Sequence, residues 1–502
     1  MEKKTSLEEY FSQFNENIIG NHQCFESPFG EKEILYADWT ASGRAYRPIE
    51  DYIQNRILPF IANTHTGTTI TGKKTTAAYE EAKSIIKEHV HANDNDVLIF
   101  CGSGMTSAVN KLQRILGLRI PERLTDYTLI DSLPLDDTTR PVVFLSHMEH
   151  HSNQISWLET IATVELIEPD QDGQVDPGAF RRLLKKFRNR KNKILAMTAC
   201  SNVTGIETPY HAMSKIIHEC NGLCFVDFAC SAPYVDMDMH PAEPGTHLDA
   251  IYFSPHKFLG GPGTAGVLIL NDKICRNKIP DHPGGGTVLY SNPWKEHDYV
   301  KHIEQREDAG TPPILQGIRT GMCILLKEKM GVVNMLKREE ELLATIFDRL
   351  SRVENLEILA GHVKKRLGII SFVVRDAPYN LIVKILNDRF GIQTRGGCSC
   401  AGTYGHALLR VSKQRSHEIR NRILSGDLSC KPGWIRLSVH PTMTDREVEF
   451  IMDAIEMTAN HFLQWKTDYS YQVETNEFAK NDIETKKGPA CKNVFNILNW
   501  LR

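Results

Sequence analysis

Lys257 stands directly after an apolar run, in DAIYFSPHKFLGGPGTAG, at the mouth of a glycine-rich turn where a chain normally avoids placing a charge. A lone lysine at such an edge usually extends its amine to water. Held in a partly desolvated crevice instead, the amine has a lowered pKa and can attack a carbonyl to form a Schiff base. Three further groups of residues sit at the ends of apolar runs in the same way. DVLIFCGSGMTSAVNKL runs into Gly102, Ser103, Gly104, Met105 and Thr106, a glycine turn that opens a helix and offers backbone N–H groups to a phosphate. FLSHMEHHSNQISW ends its run in His147, His150 and His151, suited to stacking or to acid/base work. Asn202 in SNVTG and Asp227 in CFVDFACSA complete the set, and Asp227 is costly to bury unless it faces a cation or a bound ligand. The HxxHH spacing matches no strong zinc motif, so no metal is expected.

The elements that must position these residues are legible as apolar runs. Strands are predicted at 97–101, 142–146, 163–167, 194–198, 223–227, 250–254 and 266–270, alternating with helices at 106–116, 177–188 and 209–221, the last two opened by proline. This alternation from 33 to 270 is the pattern of an α/β fold with a mainly parallel sheet and crossover helices. Carboxyl ends of parallel strands converge on one crevice. With a phosphate-binding turn and an acidic strand end in that crevice, the aldehyde of pyridoxal phosphate is the natural partner for Lys257.

After residue 270 a Gly/Pro-rich passage, HPGGGTVLYSNP, precedes a long helical pattern over 313–350. Strands near 369–374 and 434–439 and helices near 378–390 and 445–462 then suit a smaller α+β domain. The divisions expected are an N-terminal arm (1–32), a large cofactor-binding domain (33–300), a connecting helix with the small C-terminal domain (301–465) and an extension (466–502). The last of these is polar with a short apolar end, VFNILNWL.

Composition excludes several classes. A net charge of -3 over 502 residues gives no general field for nucleic acid or anionic membrane. No run of about 18 apolar residues and no signal-peptide core are present. Twelve scattered cysteines without a CxxC…CxxC pair fit reduced thiols in a cytoplasmic protein. Two of them, Cys398 and Cys400 in IQTRGGCSCAG, follow Arg395 and two glycines, a setting for a reactive thiolate on a mobile loop. A planar, two-pronged donor for a carboxylate is available in Arg436 of GWIRLSVHP.

In this order the segments resemble the class V aminotransferase family of pyridoxal-phosphate-dependent fold-type I enzymes, closest to its cysteine desulfurase and selenocysteine lyase branch. The resemblance covers roughly 34–459 and rests on MEHH-N, SN-x-x-G, VD-x-A, S-x-HK, AGTP at 309–312 and R-x-G-x-x-C at 395–400. It implies that Lys257 holds the cofactor as an imine, that Asp227 pairs with its ring nitrogen and that His150 stacks on the ring. Met105, Thr106, Ser254 and His256 also bind it, the last three through its phosphate, joined by Thr311 from the neighbouring subunit of a homodimer. Asn202 lies near the ring hydroxyl and the substrate, and Arg436 binds the substrate carboxylate. Cys400 is implied to accept sulfur, converting cysteine or selenocysteine to alanine with an enzyme-bound persulfide, with His150 a candidate for proton transfer. Cys398 is an extra neighbour, which its adjacency would allow to resolve that persulfide or to form a disulfide with Cys400.

Two departures mark this chain. Cys230 occupies the position where the family carries glutamine, removing a hydrogen bond to the ring hydroxyl. The stretch between Cys400 and Arg436 is longer than usual, basic and partly helical, and could dock a sulfur-acceptor protein or reshape the site for another amino acid. Transamination, epimerisation or a different Cβ elimination is the alternative reaction, and a non-catalytic scaffold the alternative class.

Overall fold

In a computed structural model, which describes residues 6–64, 66–126 and 138–481, the seven apolar runs pair into one sheet. Its strands are β1 (Asp96–Cys101), β2 (Val142–Leu145), β3 (Thr163–Leu166), β4 (Lys193–Thr198), β5 (Leu223–Asp227), β6 (Ala250–Phe253) and β7 (Gly266–Asn271), in the order β1-β7-β6-β5-β4-β2-β3. Strands β2 to β6 pair parallel, whereas β7 is antiparallel to both β1 and β6. The inner runs are apolar because both faces are covered, whereas the edge strand β3, with Thr163 and Glu165, is only partly buried. Val142, Phe144, Leu195 and Val226 enter one core, while Val143, Leu145, Ile194 and Phe225 enter the other.

The predicted helices lie at Met105–Ile115, Pro177–Lys186 and Tyr210–His218. Asp176 caps the second through the N–H of Gly178, with Pro177 in the first turn, whereas Pro209 stands just outside the third. The long pattern over 313–350 is not one helix. It divides into Ile314–Met330 and Val332–Leu350 at Gly331, whose φ of +77° no helix accommodates. Glycine takes that left-handed conformation without the penalty a Cβ would bring.

The smaller α+β unit holds a four-stranded sheet of β8 (Leu356–Ile358), β9 (Ile369–Val374), β10 (Arg395–Gly397) and β11 (Trp434–Ser438), ordered β8-β9-β11-β10. Helices Tyr379–Phe390 and Asp445–Trp465 bury Leu381, Ile385, Ile451 and Ile455. A capping box formed by Thr444 and Glu447 starts the second of these helices. Two contacts tie the N-terminal segment to this unit. Leu35–Tyr36 pairs in parallel with Ile392–Gln393, and the N–H of Ser438 donates to the carbonyl of Ala37 at 2.8 Å. The latter contact delivers Asp38 to the centre of the molecule.

The insert expected after Cys400 forms the helices Gly402–Leu408 and Lys413–Leu424. Residues 466–481 turn back as the hairpin Tyr469–Gln472 and Glu477–Lys480, burying Tyr469 and Phe478. The apolar end VFNILNWL lies outside the described residues. Among the described residues no helix is long and apolar enough to cross a membrane.

Candidate active site

Because β1, β4, β5 and β6 run in the same direction, Cys101, Thr198, Asp227 and Phe253 end at one edge of the sheet, and antiparallel β7 enters there with Gly266 opposite Cys101. A cavity of about 560 Å³ lies at this edge. Lys257, Asp227, His150, Asn202, Cys400 and Arg436 line it, together with Met105, Thr106, Ser254 and His256. Sequence positions spread over more than three hundred residues therefore meet in one place.

Lys257 ends the short turn Pro255–Lys257 that follows β6. The turn is held from outside by the N–H of Gly43, which donates to the carbonyl of His256 at 2.9 Å. Burial keeps the Lys257 amine below its ordinary pKa, with Cys230 and Asp227 acting in the opposite sense. Asp227 is 2% exposed, and burial pushes its carboxyl up to about 6, against the pull of the Ala229 N–H that donates to Oδ1 at 2.8 Å and of Lys257. A carboxyl raised by folding binds more protons folded than unfolded between its two pKa values. Stability of the cofactor-free chain is therefore expected to fall as pH rises from about 4 to about 6, by roughly 3 kcal/mol from this group. Asp227→Asn should lie increasingly above the wild type in melting temperature over that interval. A difference independent of pH would contradict it.

His150 caps the helix His151–Leu158, its Nδ1 accepting from the N–H of Ser152 at 3.1 Å. Burial, then Lys257 and His151, lower its pKa to about 3. The ring is thus neutral, with its hydrogen on Nε2, and offers a flat uncharged face to the cavity. Beneath it Glu149 is wholly buried, accepting from Ser146 Oγ, from Asn153 Nδ2 at 2.7 Å and from the N–H of Thr198 at 3.0 Å. Burial raises the Glu149 carboxyl to about 7. These bonds join the His150 turn to the end of β4.

At the opposite end of the cavity the helix Met105–Ile115 presents its N-terminus. The N–H of Met105 donates to Ser254 Oγ at 2.9 Å, and Thr106 Oγ1 lies 2.7 Å from Ser152 Oγ. A Cβ on Gly104 would stand 3.0 Å from Ser254 Oγ, so glycine keeps this concavity open. Burial holds His256 down at about 4, followed by the effect of Lys257.

On the third side β10 and β11 place Arg395 directly opposite Arg436. Facing like charges are unfavourable. Asp38 resolves the conflict by bridging both, accepting from Arg436 Nη2 at 2.8 Å through Oδ1 and from Arg395 Nε at 2.8 Å through Oδ2. Two guanidinium groups against one carboxylate leave a net positive charge at the cavity wall. Arg436 also donates to the carbonyl of Asn202 at 3.1 Å, while its buried Nε and Asn202 Oδ1 have no hydrogen-bond partner.

The cysteine loop closes the site. Ser399 and Cys400 both adopt left-handed backbone conformations, φ +50° and +56°, costing about 1–3 kcal/mol each for residues other than glycine. Three bonds hold them. The N–H of His151 donates to the carbonyl of Cys400 at 2.7 Å, that of Gly402 donates to His151 Nε2 at 2.8 Å, and Asn202 Nδ2 donates to the carbonyl of Ser399 at 2.7 Å. Cys400 is left exposed at the cavity.

The sequence pattern of the aminotransferase class-V family matches residues 35–451, a span that contains every residue of this cavity. The chain belongs to that family. Among curated relatives, a probable cysteine desulfurase of Halalkalibacterium halodurans is 28% identical over 376 residues, covering 73% of this chain and 84% of its own. A probable cysteine desulfurase of Streptomyces coelicolor is 25% identical over 435 residues, covering 86% and 93%. The apo cysteine desulfurase of Thermococcus onnurineus NA1 shares the fold with a TM-score of 0.69 at 22% identity, over 89% of this chain and 98% of its own. This class-V fold explains the strand order and why the site lies where it does.

The donor set fits the chemistry of pyridoxal phosphate. A helix N-terminus with hydroxyl and imidazole neighbours suits the phosphate, a buried carboxylate suits a protonated ring nitrogen, and a lysine of lowered pKa suits an aldehyde. Asn202 Oδ1 supplies a buried polar atom without a protein partner on the same wall.

Two residues singled out in the sequence fall elsewhere. Thr311 lines an adjoining cleft of about 1280 Å³ that shares Ser103, Thr106 and His256 with the cavity. Cys398 does not line the cavity. It packs against the core and lines a small apolar groove with Ile419, Leu424 and Trp434. Cys230 does line the cavity, donating from Sγ to the carbonyl of Cys200 at 2.9 Å. Asp38 and Glu149 were missed by sequence reasoning. Nothing local marks Asp38, whose partner Arg436 is 398 residues away, and Glu149 is hidden within a histidine motif.

Proposed function

We propose that this chain is a pyridoxal-phosphate-dependent, desulfurase-like lyase that converts L-cysteine, or selenocysteine, to L-alanine and leaves the sulfur as a persulfide on Cys400. The observation carrying this proposal is that Lys257 and Cys400 line the same cavity as the Arg395–Asp38–Arg436 group. The names of the curated relatives support it.

When bound, the cofactor supplies an electron sink for charge released at the substrate α-carbon. Thr106, Ser254 and His256 hold its phosphate with Met105 alongside, Asp227 keeps a proton at the ring nitrogen, Asn202 meets the ring hydroxyl and His150 covers the ring. Arg436 orients the substrate carboxylate. Lys257, whose amine burial holds below its ordinary pKa, takes the α-proton. Cys400 attacks the substrate sulfur as its thiolate, the substrate C–S bond breaks with the electron pair remaining on carbon, and protonation there completes alanine. Cysteine and one enzyme thiol thus become alanine and one enzyme persulfide. His150, whose Nδ1 is committed to its helix cap, has its Nε2–H available to donate a hydrogen bond to the substrate.

A second copy of the chain would cover the adjoining cleft and bring its own Thr311 to the phosphate. Support comes from the hairpin Val288–Ser291 and His297–Tyr299, which leaves Leu289, Tyr290 and Trp294 exposed. The helices after Cys400 offer a surface for a sulfur-acceptor protein. The free thiols of the described cysteines fit a cytoplasmic setting.

The direct test offers the purified holoenzyme a panel of amino acids and measures alanine together with released sulfide. L-Cysteine should give both in equal amounts under reducing conditions. Formation of a keto acid in place of alanine would move the assignment to transamination. Asp38→Asn should raise KM for the amino acid about tenfold with a smaller change in kcat, since it loosens Arg436 without removing it. A fall confined to kcat would contradict that positioning role.

A further inference from the structure

At the end of the sheet remote from this cavity, His218, His247 and Asp249 form a cluster whose ligand atoms all lie within 4.8 Å of one another. His218 ends the helix Tyr210–His218, and Asp249 immediately precedes β6. We propose that these three residues form a binding site for a zinc-class divalent cation, with water completing the coordination.

The orientation of His218 suits a ligand. Its Nδ1 lies 2.7 Å from the carbonyl of Gly245 and donates there, so Nε2, which shares a proton with Asp249 Oδ2 at 2.8 Å, is the nitrogen free to exchange that proton for a cation. A ligating histidine typically donates its other ring N–H to a carbonyl or carboxylate in this manner. Asp249 is itself fixed by the N–H of Cys224, which donates to Oδ2 at 2.8 Å. His247 stacks on His218 with ring centroids 4.0 Å apart and brings Nε2 to 3.9 Å from Asp249 Oδ1.

Donors around tetrahedral zinc at about 2.0–2.2 Å stand roughly 3.3–3.5 Å apart. The 2.8 Å separation of His218 and Asp249 would open slightly and the 3.9 Å separation of His247 and Asp249 would close slightly, with a tilt of the stacked His247 ring. That side chain is 45% exposed, against 13% for both partners, so it can move and leaves a face open to water. The cation would replace the proton shared by His218 and Asp249. It would join a helix end, the following loop and the entry to β6 without touching the catalytic cavity. No local spacing reveals this set, because His218 is separated from His247 by a strand and a long loop.

The experiment is calorimetric titration of zinc(II) alone into the chelator-treated full chain, with accessible thiols capped by N-ethylmaleimide so that Cys400 cannot bind the metal. Wild-type protein should take up one equivalent and gain melting temperature as zinc is added. His247→Ala and Asp249→Asn should weaken that binding by at least about tenfold and abolish the thermal gain. Because the His247 ring is half-exposed, its removal tests the site even if Asp249→Asn folds poorly. Absence of uptake by the wild type, or uptake unchanged in His247→Ala, would overturn the proposal.

Discussion

Lys257→Ala is expected to reduce alanine formation from L-cysteine by about 10³-fold or more, since one side chain is assigned both the covalent attachment of the cofactor and the α-proton transfer. The visible band arising from the lysine–cofactor linkage should vanish, while far-UV circular dichroism stays that of the wild type. Folding should survive because the turn Pro255–Lys257 is held through backbone bonds, including that from Gly43 to His256, and not through the amine. A small primary amine added in solution should restore part of the activity by replacing the missing base. Normal turnover in this variant would end the assignment of Lys257, and with it the proposed chemistry.

Cys400→Ser should lower alanine formation by about 10²–10³-fold while leaving the cofactor spectrum and the binding of substrate in place. The loss is specific because Cys400 is the cysteine of the R-x-G-x-x-C segment that is both exposed and on the cavity wall. Mass spectrometry of wild-type protein after a single turnover should find one added sulfur on the peptide containing Cys400. Cys398→Ser should stay close to wild type, since Cys398 faces the apolar groove beside Trp434. If Cys400→Ser retained full desulfurase activity, the acceptor would have to be another thiol or an external one. Equal losses in both variants would point to repacking of the loop in place of a nucleophile.

The backbone at Ser399 and Cys400 bears on the same point. Two successive non-glycine residues at positive φ persist only where surroundings over-determine them, and here His151 and Asn202 supply the bonds. Holding the thiol on a tethered loop favours one direction of attack. It also links Cys400 to His150 through the adjacent residue, so substitutions at His151 should disturb the cysteine loop as well as the histidine turn.

Much of this was legible along the chain. The inner strands of the large sheet are apolar runs because both of their faces are buried, and the residues closing those runs, Asp227 and Lys257 among them, interrupt the pattern with charge. Such interruptions are visible without coordinates. The break at Gly331 was not, because the apolar periodicity continues through it on both sides and only the backbone angle separates the two helices. The differing fates of Cys398 and Cys400 were equally hidden. Two positions apart, they line different cavities, Cys400 the one that holds Lys257 and Cys398 the groove beside Trp434, with the left-handed turn at Ser399 and Cys400 between them.

The sequence by itself determined the α/β class, the approximate strands and the identities of the groups at their ends, since these depend on burial patterns and on residue chemistry that act locally. Tertiary structure alone decided which distant charges meet. Asp38 becomes the keeper of Arg395 and Arg436 only because the N-terminal segment pairs with the small sheet, and His218, His247 and Asp249 become neighbours only where a helix end packs against the start of β6. Electrostatic partnership acts through space at a few ångströms, whereas spacing along the chain records only what one helix or strand can bring together.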